Sequence, residues 1–361
     1  MRICSADEAK EIVANARGTR TIFIECTETF LSGRNTGIQR VVRNIADHAK
    51  RVGSSMDVSI VTVTMSDGKL VCVDLKGSSA SGVDADVSAT PRFKQKIWRA
   101  LQRMICVLLP LRSVRDFVYR PREGIGLAMM VSSPIEFYTK AFANDLDHPD
   151  IISGSGDLSN SVLLLLDADW HLPLQAPIKR FKERGGKVVS VTYDLIPITH
   201  PELCDPVLVP PFLKWFDYII RENELFVAIS KSSADELKRF GQGYGVFLPP
   251  IPHFYLGSDL DLIDETPVSD GIRKIFNLPN FKFLIVGSIE PRKNHRYAID
   301  AFEKYWADGG LGSLVVVGKY GWLNQDTINR IFGHPEFGKN YSCLGMRQIL
   351  NWITLTKMQA A

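Results

Sequence analysis

Four short stretches of this chain hold side chains that could do chemistry. Residues 287–295 read Gly-Ser-Ile-Glu-Pro-Arg-Lys-Asn-His. Arg292 and Lys293 are adjacent cations between an apolar run and a helical pattern. Free backbone N–H groups, a helix dipole and two cations together favour a bound phosphate. The pair reads equally as two solvated cations on an ordinary α/β turn. A polar stretch, Ser32-Gly33-Arg34-Asn35-Thr36-Gly37, lies between a strand and a helix. That order again suits an anion, although most α/β domains contain such a turn. Residues 167–171, Asp-Ala-Asp-Trp-His, place two carboxylates and an imidazole at the end of a strand, where α/β sites form. They read equally as caps of the next element. Asp194 ends another strand ahead of a Pro-bearing loop. It is placed to act on a ligand, or to cap its own turn.

The elements that must position these groups follow from periodicity. Phe283 to Val286 is a short apolar run that suits a buried parallel strand. Pro291, with no N–H to lose, suits the first turn of the helix after it. Tyr297, Ala298, Ala301, Phe302 and Tyr305 then recur at helical spacing. Residues 21–26 form a first strand. The helix after the polar loop carries Ile38, Val41, Val42, Ile45 and Ala49 on one face. Residues 57–65 and 70–74 are expected as a hairpin around Ser66-Asp67-Gly68. Strands are further expected at 161–167, 187–193, 226–229, 245–248 and 313–317, and helices at 178–184, from Ser230 onward and at 324–332. Residues 77–91, rich in Ser, Ala, Gly and Asp, are expected as a mobile loop. Pro249-Pro250-Ile251-Pro252 can continue neither helix nor sheet, so a domain boundary is placed there. The expected organisation is a domain over 1–252, a linker over 253–280 and a second domain over 281–361.

Composition narrows the function classes. The chain has 361 residues, room for two ordinary domains. With 45% hydrophobic and 23% charged residues it reads as soluble and globular. A net charge of +3 does not imply nucleic acid. The six cysteines (Cys4, Cys26, Cys72, Cys106, Cys204 and Cys343) form no Cys-x-x-Cys pair, which removes the common metal and redox motifs. Scattered single cysteines suit a reducing cytoplasm. The N-terminus carries acids where a signal peptide needs an apolar core, and no apolar run approaches a membrane span. Residues 92–122 hold nine Arg or Lys against one acid, Asp116, with apolar residues at helical spacing. The first reading is a helix packed on its own domain with a solvated cationic face. The second is a surface that meets anionic lipid, giving peripheral contact with the inner membrane face.

The nine residues from Gly287 to His295 closely resemble the turn that opens the donor domain of family 4 glycosyltransferases. Thr36-Gly37-Ile38-Gln39-Arg40-Val41 resembles the Gly-Gly-Val-Gln-type loop of that family's acceptor domain, with Thr36 in place of the first Gly. Asp194-Leu195-Ile196-Pro197 through Pro201-Glu202 resembles a segment at its interdomain cleft, where many relatives carry a His at the position of Asp194. The resemblance runs from Gly37 through Trp322. It implies a GT-B type α/β fold, with two Rossmann-like domains facing across a cleft. It further implies transfer of a sugar from a nucleoside diphosphate sugar to a hydroxyl, with retention and without a metal or other cofactor. The usual destination is a polysaccharide or lipid-linked glycan. By the same resemblance Arg292 and Lys293 bind the donor diphosphate, the Gly37 backbone faces it, Gln39 lies near the acceptor and Asp194 stands near the reacting sugar. Two rival readings are an epimerase of nucleotide sugars, which shares the architecture, and a folded remnant that only binds partners.

One departure concerns the end of the chain. The family carries paired Glu eight positions apart in the second half of the donor domain. No two Glu are so spaced here, and after Gly318 only Glu336 occurs. The second domain shows about two strand–helix units, too few to close a doubly wound sheet. Read from the third base of the Tyr341 codon with permitted codons, the ending gives Phe-Leu-Leu-Gly-Asn-Ala-Ser-Asp-Ser-Glu-Leu, which resembles the family's next strand and helix start. Met346, Trp352 and Met358 have single codons and fit that frame. The expectation is a frameshift near Asn340, an incomplete donor domain and impaired transfer.

Overall fold

The computed structural model describes residues 2–5, 7–8, 11–12, 19–32, 37–66, 68–75, 150–152, 157–257, 273–275, 277 and 279–344. The loop expected at 77–91, the basic segment 92–122 and the frame-shifted reading beyond Leu344 fall outside these residues. The chain divides into two compact units, Met1–Leu195 with Pro210–Leu256, and Ile196–Val209 with Gly257–Ala361. Residues 196–209 therefore group with the second unit, although both flanking stretches belong to the first.

The first unit is a seven-stranded sheet. Its strands are β1 (Arg2–Ile3), β2 (Arg20–Glu25), β3 (Val58–Ser66), β4 (Lys69–Asp74), β5 (Ser161–Leu165), β6 (Lys187–Thr192) and β7 (Leu225–Ala228). They lie in the order β1-β4-β3-β2-β5-β6-β7. Neighbours from β3 through β7 pair in parallel, while β4 is antiparallel to both β3 and β1. The expected hairpin is β3–β4. Parallel strands bury both faces, which is why β5 reads as a near-continuous apolar run. Helices α1 (Thr27–Ser32) and α2 (Gly37–Ser55) follow β2. Helix α2 lays Val42 and Ala46 into a core with Ile24, Cys26, Val73, Leu166 and Val191. Helix α3 (Gln175–Glu183) precedes β6; α4 (Ile196–Thr199), which groups with the second unit, and α5 (Val209–Glu222) precede β7 in the chain. Helix α6 (Lys231–Gly243) begins at Ser230, whose hydroxyl accepts the Ser233 N–H at 3.1 Å.

Residues 245–248 do not form the expected strand. Gly245 takes φ +68° and closes α6, with its N–H bonded to Gln242 O and the Val246 N–H to Gly241 O. Ala228 instead bridges to His253, beyond the prolines that cannot donate to a ladder.

The second unit holds β8 (Lys282–Val286), β9 (Ser313–Val317) and β10 (Tyr341–Leu344), parallel and in the order β10-β9-β8. Helices α7 (His295–Ala307) and α8 (Gln325–Phe332) connect them. All five residues of β9 are buried. Ile289, Ile299, Leu314, Val316, Ile331 and Tyr341 form its core. Tyr341 to Leu344 pair with Leu314 to Val317. The α/β class expected from the sequence holds in both units. Pro291 departs from expectation. It opens a single 3-10 turn, Pro291–Lys293, that ends at Asn294 in the left-handed region (φ 50°), and α7 starts only afterwards.

Candidate functional site

Sheet order locates a crevice in the first unit. From β2 the chain proceeds outward to β3, then returns to the other side of β2 with β5 and continues to β6 and β7. The switch lies between β2 and β5, and ligands of open α/β sheets bind outside the C-terminal strand ends at such a point. Glu25 ends β2, and Asp167 and Asp169 follow β5. All three carboxylates are buried. The Asp167 carboxylate accepts the Thr29 N–H at 2.6 Å and the Ala168 N–H at 2.8 Å. Glu25 accepts the Thr27 N–H at 2.8 Å. The Thr27 hydroxyl in turn accepts the Met65 N–H at 2.8 Å. The sequence left open whether Asp167 serves a site or a cap. It holds the first turn of α1, an element from the other side of the switch.

Crowding three carboxylates away from water costs charge. Burial, then Asp167 and Asp169, push the Glu25 carboxyl well above the usual carboxylate range. Burial, then Asp167, raise Asp169 to about 8. Asp167 is raised by burial as well, although its two backbone donors and Arg43 pull the other way. Asp169 is therefore largely protonated at neutral pH. His171 sits nearby in sequence, and burial lowers its pKa. Among the described residues no group of His, Cys, Asp and Glu forms a metal-binding set.

The other first-unit candidates lie at the same edge of the sheet. Gly37 is the exposed first residue of α2, and a Cβ there would meet no described atom within 4 Å. Packing among the described residues does not demand its glycine. Gln39, two positions beyond Gly37, is buried. Asp194 follows β6 and is exposed. One strand, β5, separates β2 from β6 in the sheet.

In the second unit the 287–295 stretch forms a compact turn at the C-terminal end of β8. Arg292 and Lys293 are both exposed. Between them and the sheet lies Glu290, which is buried and pairs with Arg292 at 2.8 Å. His295 opens α7. It is also buried, neither ring nitrogen has a hydrogen-bond partner among the described residues, and burial followed by Lys293 lowers its pKa. A neutral imidazole at this helix start leaves the positive charge to Arg292 and Lys293. The loop after β9 supports the turn from below. The Ile289 N–H donates to Lys319 O at 2.9 Å, and the Gly321 N–H donates to Ile289 O at 3.0 Å. Asn324 Nδ2 donates to the same Ile289 carbonyl at 2.9 Å and to Gly321 O at 2.7 Å. A Cβ on Gly318 would overlap the Gly287 carbonyl. The turn thus presents two cations on a rigid base, beside the N-terminus of a 13-residue helix. Such a place attracts an anion, and an Arg fork suits a phosphate.

Sequence reasoning brought Arg292 and Lys293 together correctly in one turn, and missed what holds them. Glu290 carries no separate signal within the motif beyond that of a carboxylate two positions before an Arg, next to an Ile. Nothing local marked Glu25 as buried, since its burial comes from strands distant in sequence.

No protein-family model matches the chain. It is similar to a serotype-specific mannosyltransferase WbdA of Escherichia coli, with 27% identity over 274 residues, covering 71% of this chain and 32% of the relative. A further WbdA from the same organism is 26% identical over 273 residues. The chain spans about a third of the length of the curated relatives it matches. Among solved structures it is similar to the pneumococcal O-GlcNAc transferase GtfA, in complex with UDP and GlcNAc, at 12% identity and a TM-score of 0.33, over 52% of this chain and 34% of that one. A superposition so loose carries no argument about ligand or mechanism.

Proposed function

We propose that this chain is a glycosyltransferase, moving a sugar from a nucleoside diphosphate sugar to a hydroxyl of a glycan or lipid-linked acceptor with retention. The observation that carries the reading is the Arg292–Lys293 turn, exposed on a rigid base at the head of α7. Similarity to relatives named mannosyltransferases supports the class, and from their names we take mannose as the sugar. The leaving diphosphate gains negative charge as the glycosidic bond breaks, so donors aimed at it act most strongly in the transition state. Arg292 would engage the diphosphate through its planar fork and Lys293 as a point charge. The Gly37 backbone at the start of α2 would face the donor phosphate, Gln39 would support the acceptor side, and Asp194 would stand by the reacting sugar. Needing no metal, the reaction would rest on these groups alone. Among the described residues no helix is long and apolar enough to cross a membrane. A lipid-linked acceptor would be met peripherally, through residues 92–122.

Product analysis tests the reading. The full chain is incubated with isotopically labelled nucleoside diphosphate mannoses and candidate acceptor glycans, and the new linkage is read by anomeric NMR. An α-linked product supports the proposal. A β-linked product overturns retention, and an epimerised nucleotide sugar overturns the transferase class. Absence of any turnover over all donors overturns the activity.

A further inference from the structure

The loop between β9 and α8 carries a tryptophan that touches both the Arg292 turn and a second segment. The Trp322 ring centroid lies 5.9 Å from the Arg292 guanidinium carbon. Its indole N–H donates to the Leu203 carbonyl at 2.9 Å. Leu203 closes the 3-10 turn Pro201–Leu203, and that turn belongs to the second unit with Trp322. On its other side Arg292 pairs with the buried Glu290 at 2.8 Å. The guanidinium is thus bracketed by a carboxylate and an aromatic ring, and the Arg292 side chain still keeps 31% of its surface open to solvent. The loop that carries Trp322 is itself anchored. Gly318, Gly321 and Asn324 all pack or bond against the Gly287–Ile289 backbone. Leu323, the next residue, adopts φ 47°, an uncommon left-handed conformation for a leucine that this anchoring sustains.

A free arginine side chain samples many rotamers, and ordering it on binding an anion costs affinity. A ring face on one side and a carboxylate on the other remove much of that freedom beforehand. The carboxylate lies against one guanidinium nitrogen, Nη2, as an ion pair, and the ring takes no donor, because a cation is attracted to the face of an indole without a hydrogen bond. The remaining N–H groups stay available for a phosphate.

We propose that Trp322 is a positioning residue for nucleoside diphosphate binding, holding the Arg292 guanidinium in place while its indole N–H ties the Pro201–Leu203 turn to the same loop. The inference rests on the reading of Arg292 as a diphosphate ligand.

The test is a double-mutant cycle on the full chain, read by titration calorimetry with GDP and UDP as probes, with melting temperatures recorded for every variant. Trp322→Leu removes both ring and N–H and is expected to weaken binding about tenfold. Trp322→Phe keeps a ring face for Arg292 and is expected to lose only about threefold. Arg292→Gln keeps a polar partner for Glu290 and removes the cation. In that background Trp322→Leu should change binding less than about twofold, because nothing remains for the ring to position. If Trp322→Leu weakens binding equally in both backgrounds, its role is general support of the fold and the inference is overturned. The same holds if Trp322→Leu binds as the wild type does. Should the Leu variant fail to fold, Trp322→Phe and Trp322→Tyr in the two Arg292 backgrounds decide by the same criterion. A wild-type chain that binds neither probe overturns the diphosphate reading and this inference together, whereas binding with an additive cycle overturns the inference alone.

Discussion

The switch crevice of the first unit and the Arg292 turn of the second use one local recipe to opposite ends. Each stands where parallel strands end and a helix begins. In the crevice Glu25, Asp167 and Asp169 are acidic, buried and raised toward the neutral form. In the turn Arg292 and Lys293 are basic and face water, with one buried carboxylate, Glu290, held beneath them. A strand–turn–helix junction therefore says nothing by itself about the sign of what it holds. The depth of the side chains decides. Buried carboxylates serve the backbone N–H groups of their own fold, as Asp167 does for Thr29 and Ala168. Exposed cations on a braced backbone remain able to meet a ligand.

The largest effect expected is on the exposed side of this contrast. Lys293→Ala should lower sugar transfer about 10²–10³-fold, the cost of losing one donor aimed at developing charge. Its melting temperature should stay within error, because Lys293 is exposed. Initial rates beside a melting curve check both halves, and unchanged turnover would remove Lys293 from the site. Next comes the base of the turn. Gly318→Ala drives a methyl group into the Gly287 carbonyl, so the second unit should lose about 1–3 kcal/mol. Hydrogen exchange along β8 and β9 reads this directly, and full retention of protection would mean that the turn does not depend on the loop below it.

The buried side is tested by pH. A carboxylic acid with a folded pKa above its unfolded value stabilises the fold fully below the unfolded pKa. That contribution is lost as pH rises through the folded value. For Asp169 the window runs from the ordinary carboxylate range up to about 8. Asp169 should therefore contribute a decline in stability across it of at most about 1.4 kcal/mol per pH unit. Urea unfolding at pH 5, 6, 7 and 8 checks the sign, and Asp169→Asn should flatten the slope. A first unit that grows more stable toward pH 8 would contradict a proton-holding crevice. The smallest effect expected is at the start of α6. Ser230→Ala removes the hydroxyl that caps α6 and should cost about 1 kcal/mol, with sugar transfer at the wild-type rate. A change in rate would show that local stability, rather than site chemistry, governs turnover.

Much of the framework is legible in the sequence. The β3–β4 hairpin follows from two alternating runs around Ser66-Asp67-Gly68, and β9 from five apolar or small residues in a row. The Arg292–Lys293 turn follows from cations placed just after an apolar strand. The misreadings share a cause. Residues 245–248 looked like a strand because Val246, Phe247 and Leu248 are apolar, yet Gly245 is spent on closing α6 and the prolines beyond remove the ladder donors. Pro291 suited a helix start, and it does start one, but a 3-10 turn that Asn294 ends before α7 begins.

Residue order alone determined the α/β character, the cationic turn and the start of α6 at Ser230, because these depend on periodicity and on neighbours a few positions apart. Which acids are buried together could come only from tertiary structure. Strand pairing brings residue 25 beside residues 167 and 169, and local sequence carries no record of so distant a neighbour. The same holds for Trp322, whose indole N–H meets a carbonyl 119 positions away. It becomes a brace for Arg292 only because β8 and β9 pair in parallel and carry their following loops to the same end of the sheet.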